Sequence, residues 1–133
     1  MSIFIDTSAF YAMLDADDTN HEKAKAVWQS ILESDETLAT SNYIIVETFA
    51  LLKNRLGQKA VRSYQENILP IVVTAWVEQS VHSAGVAAAL AVGKNGPSLV
   101  DCVSFEIIRQ YGMTEIFAFD QHFIDHGFTL MNP

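Results

Sequence analysis

Short apolar segments alternate with longer helical ones along the whole chain. Five short segments have the length and composition of buried strands: Ile3–Ile5, Thr37–Thr40, Ile71–Val73, Glu115–Phe119 and Phe128–Met131. Between them the pattern predicts helices over residues 8–14, 24–32, 41–56, 58–67, 75–92 and 98–111. Such alternation is typical of a parallel sheet covered by helices on both faces. We therefore predict an α/β fold with a mainly parallel central sheet of four to five strands.

Length and composition fit a single domain of residues 1–133. A chain of this size can bury one good core, and half of its residues are hydrophobic. No apolar run is long enough to cross a bilayer, and the N-terminus lacks a basic region followed by a cleavage site. The one cysteine, Cys102, excludes an intramolecular disulfide and lies among apolar helical positions that favour a buried, inert thiol. We expect a cytoplasmic protein that does not enter membranes.

Four carboxylates stand where core residues would be expected. They are Asp6, Glu47, Asp101 and Asp120, and each lies within or directly after an apolar run. A buried carboxylate is costly unless it is paired or binds a metal. Asp6 and Asp120 come just past the carboxyl ends of predicted strands, where open parallel sheets bind their ligands. A cluster of like charges is stable only with bound cations, so we predict that the four acids converge on a metal ion.

The chemistry best suited to such a site is phosphodiester hydrolysis. Mg²⁺ and Mn²⁺ prefer carboxylate oxygens and retain several waters. An ion held at a strand end can bind phosphate oxygens, activate a water and offset charge on the leaving oxygen. A nucleophilic side chain is then unnecessary.

Each acid also has a purely structural explanation. Glu47 lies three residues after Ile44, on the helix face predicted to be buried, and a salt bridge at the edge of that face would explain it. Asp101 would cap the helix that begins near Ser98. Asp6 and Asp120 would each close a strand into a turn. Only their joint occurrence favours a metal site over these separate roles.

The charge distribution leaves a polyanionic partner open. The formal net charge of −8 argues against nucleic-acid binding. Between Glu47 and Glu66, however, the chain has no acidic residue and carries a basic strip of Lys53, Arg55, Lys59 and Arg62. An ordinary solvated helix face explains this strip as well as an RNA-binding surface does.

Other chemistries find little support in the sequence. His122 and His126 have the spacing of two ligands on a helix, but no helix is predicted there and no cysteine joins them, which disfavours a zinc site. Asp6 lacks a second Asp two positions on, which disfavours an aspartyl-phosphate phosphatase. No phosphate-binding loop, dinucleotide fingerprint or nucleophile elbow is present.

Four short motifs, in order, resemble those of the PIN-domain nucleases. They are Phe4-Ile5-Asp6-Thr7-Ser8, the segment from Ser41 to Glu47, Ser98-Leu99-Val100-Asp101, and Phe119-Asp120-Gln121-His122-Phe123. The segment 127–130 also matches the last strand of the family. The resemblance covers essentially the whole chain, and stand-alone PIN domains of this size resemble the VapC-type toxins of prokaryotic toxin–antitoxin pairs.

The resemblance implies a PIN-like fold and RNA cleavage dependent on Mg²⁺ or Mn²⁺. By motif, the four acids correspond to the acidic site of the family, with Asp6 and Asp101 as the firmest metal ligands and Glu47 and Asp120 acting directly or through water. Ser8 would support the site by hydrogen bonding, and Thr7 is a weaker candidate for the same role. Family members commonly form homodimers, and the toxins are held inactive by a small antitoxin protein.

Two alternatives remain open at this stage. A PIN-like RNA-binding or scaffold module without catalytic activity would keep the acids for folding alone. A small-molecule phosphohydrolase would act on generic phosphate esters and ignore RNA. Neither the RNA target nor the number of metal ions follows from the sequence.

Overall fold

The structure is a computed structural model that describes residues 2–132. Its strands are β1 (Ser2–Ile5), β2 (Thr37–Ser41), β3 (Val73–Ala75) and β4 (Glu115–Phe117). Its α-helices are α1 (Thr7–Leu14), α2 (His21–Leu32), α3 (Asn42–Arg55), α4 (Gln58–Ser63), α5 (Gln79–Val92), α6 (Leu99–Gln110) and α7 (Gln121–Asp125). A π-helical turn (Tyr64–Ile68) and a 3₁₀ turn (Leu69–Ile71) follow α4. The predicted α/β class is confirmed.

The four strands form one parallel sheet in the order β3-β2-β1-β4. Phe4 in β1 pairs with Ala39 of β2 on one side and with Ile116 of β4 on the other. The predicted fifth strand, Phe128–Met131, is reduced to a single parallel bridge between Leu130 and Ile116. That prediction is therefore wrong in extent, although the segment does line the β4 edge.

The helices form two groups by their mutual contacts. α1 contacts α2 and α3, and α3 contacts α4, whereas α6 contacts α5 and α7. Right-handed crossovers place the first group on one face of the sheet and the second on the other, because the chain reverses direction across the sheet after β3. Buried residues between the layers include Phe4, Phe10, Tyr64 and Phe117.

Other boundaries also differ from the sequence prediction. The fourth strand ends at Phe117 rather than Phe119, since the Phe119 N–H donates to the Ser8 hydroxyl instead of a neighbouring strand. The third strand begins at Val73 rather than Ile71, because Pro70 lies in the 3₁₀ turn, where its fixed φ is favourable. The helix predicted from Ala75 begins at Gln79, since Ala75 still pairs in the sheet. The chain also forms α7, where no helix was predicted.

The strand order determines where a site can form. The chain moves from β1 outward to β2 and β3, and then returns to the opposite side of β1 as β4. The order therefore switches between β1 and β4, and their carboxyl ends border a crevice of the kind that binds ligands in α/β sheets. Among residues 2–132, no helix is long and apolar enough to cross a membrane.

Candidate metal centre at the carboxyl edge of the sheet

Asp6 leaves the end of β1 and caps α1. Its buried side chain accepts hydrogen bonds from the backbone N–H of Ser8 at 3.1 Å and from the Ser8 hydroxyl at 2.6 Å. The Ser8 oxygen in turn accepts a bond of 2.9 Å from the backbone N–H of Phe119, just past β4. Ser8 therefore joins the two strand ends at the switch point and fixes one carboxylate oxygen of Asp6.

Asp101 and Asp120 also sit at helix N-termini. Asp101 is buried and forms a capping box with Ser98, in which each side chain accepts a hydrogen bond from the backbone N–H of the other, at 3.1 and 3.2 Å. Asp120 caps α7 by accepting a bond of 2.9 Å from the backbone N–H of His122. The capping role anticipated for Asp101 is thus real, and it orients the carboxylate without removing it from the crevice.

Asp101, Asp120 and His122 form a compact group of metal-binding atoms. Each offers one ligand atom, and these atoms all lie within 4.8 Å of one another. Nδ1 of His122 lies 3.4 Å from Oδ2 of Asp101 and 3.2 Å from Oδ1 of Asp120. The donor set of two carboxylates and an imidazole is one that divalent ions use in proteins.

Glu47 differs from its predicted environment. The buried face of α3 consists of Ile44, Thr48 and Leu52, spaced four residues apart, and Glu47 is exposed beside it rather than on it. The helix still brings Glu47 to the other acids, since its carboxylate interacts electrostatically with those of Asp6 and Asp101.

Thr7 holds α1 and α3 together beneath the crevice. Its hydroxyl oxygen accepts a hydrogen bond of 3.0 Å from the buried hydroxyl of Thr48, and it also lies within hydrogen-bonding reach of Glu47. Thr7 and Ser8 thus both support the acids, each through a different neighbour.

The electrostatics of the crevice favour bound cations. Burial raises the pKa of Asp6 to about 7, against the hydrogen bonds from Ser8, and repulsion from Asp101 and Glu47 adds to the rise. Desolvation also raises the pKa of Glu47 and of Asp101, with repulsion from Asp120 contributing to both. All four acids are therefore coupled, although Asp6 and Glu47 lie outside the compact group of three.

The basic strip lies away from the acids. Lys53 and Arg55 end α3, about 9–12 Å along the helix axis from Glu47. The Arg55 guanidinium lies over the ring of Tyr11, 5.5 Å from its centroid, and Arg62 forms a salt bridge of 2.9 Å with Glu66. The strip is exposed but partly neutralised, and it faces the amino-terminal end of the sheet.

The sequence prediction missed His122 because it treated this residue only as half of a zinc pair with His126. A local pattern could have identified His122. An Asp that ends a strand and caps a helix accepts a hydrogen bond from the backbone N–H two positions later and so holds that residue beside its carboxylate; here that residue is a histidine. Cys102 is buried as predicted, and burial raises the pKa of its thiol.

Comparisons with known proteins agree with this geometry. A family model described as PIN domain matches residues 3–128, which include all four acids. The chain belongs to the PIN-domain family. It is also 30% identical over 132 residues to the 23S rRNA-specific endonuclease VapC20 of Mycobacterium tuberculosis, covering 98% of each protein. The predicted resemblance to PIN-domain, VapC-type proteins is confirmed.

Solved structures place this PIN domain among similar folds. The crystal structure of Mycobacterium tuberculosis VapC20, titled a sarcin–ricin loop cleaving toxin, has a TM-score of 0.88 and 30% identity, with 98% of this chain and 99% of that chain covered. FitAcB from Neisseria gonorrhoeae gives a TM-score of 0.67 at 18% identity, covering 98% and 96%. VapBC2 from Rickettsia felis, bound to a promoter DNA fragment, gives 0.69 at 9%, covering 98% of each. The last two share the fold.

Proposed function

We propose that this protein is a Mg²⁺- or Mn²⁺-dependent endoribonuclease that acts as the toxin of a toxin–antitoxin pair. The observation that supports this most directly is the convergence of Asp6, Glu47, Asp101 and Asp120 at the switch point of the sheet. The similarity to an rRNA-specific endonuclease over the whole chain supports the same activity.

The residues present fit a divalent ion. Two carboxylates and an imidazole nitrogen offer ligand atoms within 4.8 Å of one another, and the imidazole Nδ1 is buried without a hydrogen-bond partner among residues 2–132. Asp101 and Asp120 would hold the ion, which exchanges Asp6 and Asp120 in the ranking that the resemblance implied, and Asp6 and Glu47 would contribute directly or through water. When bound, Mg²⁺ or Mn²⁺ supplies Lewis acidity towards phosphate oxygens and offsets negative charge on the leaving group.

The protein's own groups would prepare the phosphate for in-line attack. Asp6, held by Ser8, presents a fixed carboxylate at the floor of the crevice. Glu47 is the most exposed of the four acids, and its raised pKa suits it to accept a proton from an attacking water. Asp120, fixed by its cap on α7, borders the other side. We assign catalytic roles to these acids on that arrangement.

The basic strip would bind RNA outside the scissile phosphate. All four residues of the strip are exposed; Lys53 and Arg55 lie about 9–12 Å from Glu47 along the α3 axis, and Lys59 and Arg62 follow on α4. At that distance they would contact backbone phosphates that flank the cleavage position. Such contacts add affinity without reading sequence.

The biological role follows from the relatives. VapC20 is named as a 23S rRNA-specific endonuclease, and its structure as a toxin that cleaves the sarcin–ricin loop. We extend this substrate class, ribosomal RNA, to the present chain. We also propose control by a small antitoxin, assembly as a homodimer, and action in the cytoplasm, where that substrate lies.

An Asp101→Asn variant tests the proposed function. Asparagine keeps the oxygen that accepts the Ser98 N–H, so helix α6 should still form. Cleavage of purified ribosomes and of a sarcin–ricin loop hairpin, with Mg²⁺ or Mn²⁺ added, should fall at least about a hundredfold. Asp35→Asn, which changes an exposed acid away from the crevice, is the matched control and should keep full activity.

Three outcomes would overturn the proposal. Cleavage by the Asp101→Asn variant at the parent rate would exclude the metal mechanism. RNA binding that ignores chelator, without turnover under either metal, would instead identify a scaffold module. Hydrolysis of generic phosphate esters with no action on RNA would identify a small-molecule phosphohydrolase.

A further inference from the structure

His122 brings a ring nitrogen to the acidic crevice and is held there by the backbone. The backbone N–H of His122 donates a hydrogen bond of 2.9 Å to Oδ1 of Asp120, the residue that caps α7. Phe123, the next residue, is fully buried and anchors the same short helix. The His122 ring therefore has a position set by the fold.

The Nδ1 atom of His122 is buried and lacks a suitable partner. It has no hydrogen bond to any residue in the range 2–132, although the ring as a whole is partly exposed. Oxygens of Asp101 and Asp120 lie 3.4 and 3.2 Å away, but not in the direction that a hydrogen bond requires. A buried nitrogen beside two carboxylates but without a hydrogen bond to either is poorly satisfied, and a cation shared with both carboxylates would satisfy it.

The distances suit a single octahedral ion. Ligand atoms about 2.1 Å from a metal lie about 3.0 Å from their neighbours in an octahedron. The two distances from Nδ1 to the carboxylate oxygens are only slightly longer than this. A small inward movement of the side chains would complete the geometry.

We propose that His122 binds the divalent ion directly through Nδ1 and makes the site select Mn²⁺ over Mg²⁺. The proposal rests on the proposed function, which requires a divalent ion in this crevice. Imidazole is a better ligand for transition metals than for Mg²⁺, which prefers oxygen. A site built from carboxylates alone would discriminate less between the two ions.

Electron spin-echo spectroscopy of bound Mn²⁺ tests this ligand directly. Mn²⁺ added to the full-length wild-type protein should show nuclear coupling to a nitrogen, and His122→Ala should abolish it. His126→Ala is the matched control, because this histidine terminates the same helix but stacks on Phe105 and bonds the His122 carbonyl. The control should keep the nitrogen signal.

Calorimetric titration gives a second readout that does not depend on activity. His122→Ala should weaken Mn²⁺ binding about tenfold or more, and Mg²⁺ binding less than about threefold. His122→Asn keeps a polar side chain at this position, while the backbone bond to Asp120 remains in both variants, and it should lose the preference for Mn²⁺ in the same way. This variant keeps the test valid if the alanine variant folds poorly.

Three results would overturn the ligand assignment: no nitrogen coupling in the wild type, coupling that persists in both His122 variants, or an equal loss of affinity for the two metals. A parallel RNA cleavage assay separates this from the proposed function. If the wild type cleaves RNA but shows no nitrogen coupling, only the assignment of His122 as a metal ligand is rejected. Nitrogen coupling without any cleavage would support the ligand and reject the nuclease.

Discussion

At the scale of single residues, the acids of the crevice serve both the fold and the site. Asp6, Asp101 and Asp120 each accept a backbone hydrogen bond at the start of a helix. The capping explanation is therefore confirmed for Asp101, whereas the metal-binding role of the acids stays a proposal. The sequence could predict that the acids lie close together, but not the position of Glu47, since helix periodicity does not show which neighbouring element covers a face.

Asp6 should make the metal-free protein less stable as the pH rises. Its pKa is about 7 in the fold and its ordinary value is 3.8. Between these values the folded state retains a proton that the unfolded chain has released, so the free energy of unfolding falls as pH increases through that window. Asp6→Asn removes this dependence. In urea unfolding with chelator, the free energy of unfolding of the variant relative to that of the wild type should rise by more than about 1 kcal/mol from pH 4 to pH 7.5.

This prediction is decided by comparing how steeply the free energy of unfolding changes with pH in the variant and in the wild type. Glu47 and Asp101 contribute to the pH dependence of both proteins, so only the difference between them reports on Asp6. Equal slopes would show that Asp6 ionises normally in the fold. Adding Mn²⁺ should remove the loss of stability of the wild type at higher pH, because the ion stabilises the charged carboxylate.

Ser8 should contribute more to the free energy of unfolding than a typical surface serine does. Ser8→Ala removes the hydroxyl bond to Asp6 and leaves the N–H of Phe119 without its partner. We expect a loss of about 1–3 kcal/mol in the free energy of unfolding, with weaker Mn²⁺ binding. Ser8→Thr keeps the hydroxyl and serves as the control. A change below about 0.5 kcal/mol in Ser8→Ala would show that water replaces the hydroxyl.

At the scale of helices and strands, elements with a clear pattern or cap were predicted well. β1 is a continuous apolar run, α3 has helical periodicity and a Ser41 cap, and both appear close to their expected bounds. α7 has five residues, too few to show a helical period. The third strand was misplaced because the sequence does not distinguish Pro70 opening a strand from Pro70 inside a 3₁₀ turn.

The contact between α5 and α6 depends on Gly85. A Cβ atom built there would lie 2.5 Å from Cγ2 of Val103 and 3.3 Å from its backbone nitrogen. Gly85→Ala should therefore force α6, which carries Asp101, away from α5. We expect a loss of about 1–3 kcal/mol on urea unfolding, despite the better helix propensity of alanine. Ser83→Ala, on the exposed face of α5, should change stability by less than about 0.5 kcal/mol.

At the scale of the whole molecule, the net charge of −8 repels RNA, so binding must come from local features. The proposed divalent ion and the basic strip are two such features. The sequence identifies the residues of both, but it does not give the distance between the strip and the acids.

We therefore expect RNA affinity to depend on both attractions. Chelator should weaken RNA binding at least about tenfold, and a Lys53→Ala, Lys59→Ala double variant should raise KM with little change in kcat. Arg62→Ala should have the smaller effect of the basic substitutions, since its charge is already paired with Glu66. Filter binding at several salt concentrations would measure the affinities, and steady-state cleavage would measure KM and kcat. An unchanged salt dependence in the double variant would exclude the strip from the RNA interface.

The capping role of the acids has an evolutionary consequence. Asparagine caps helices as well as aspartate does, and Asp and Asn codons differ by one base. A cell harmed by this protein could therefore silence it through Asp→Asn at positions 6, 101 or 120 without losing the fold. Such an inactive copy would still fold and, if the proposed toxin–antitoxin role holds, would still bind the antitoxin. Alanine at these positions would instead remove the cap and favour unfolding.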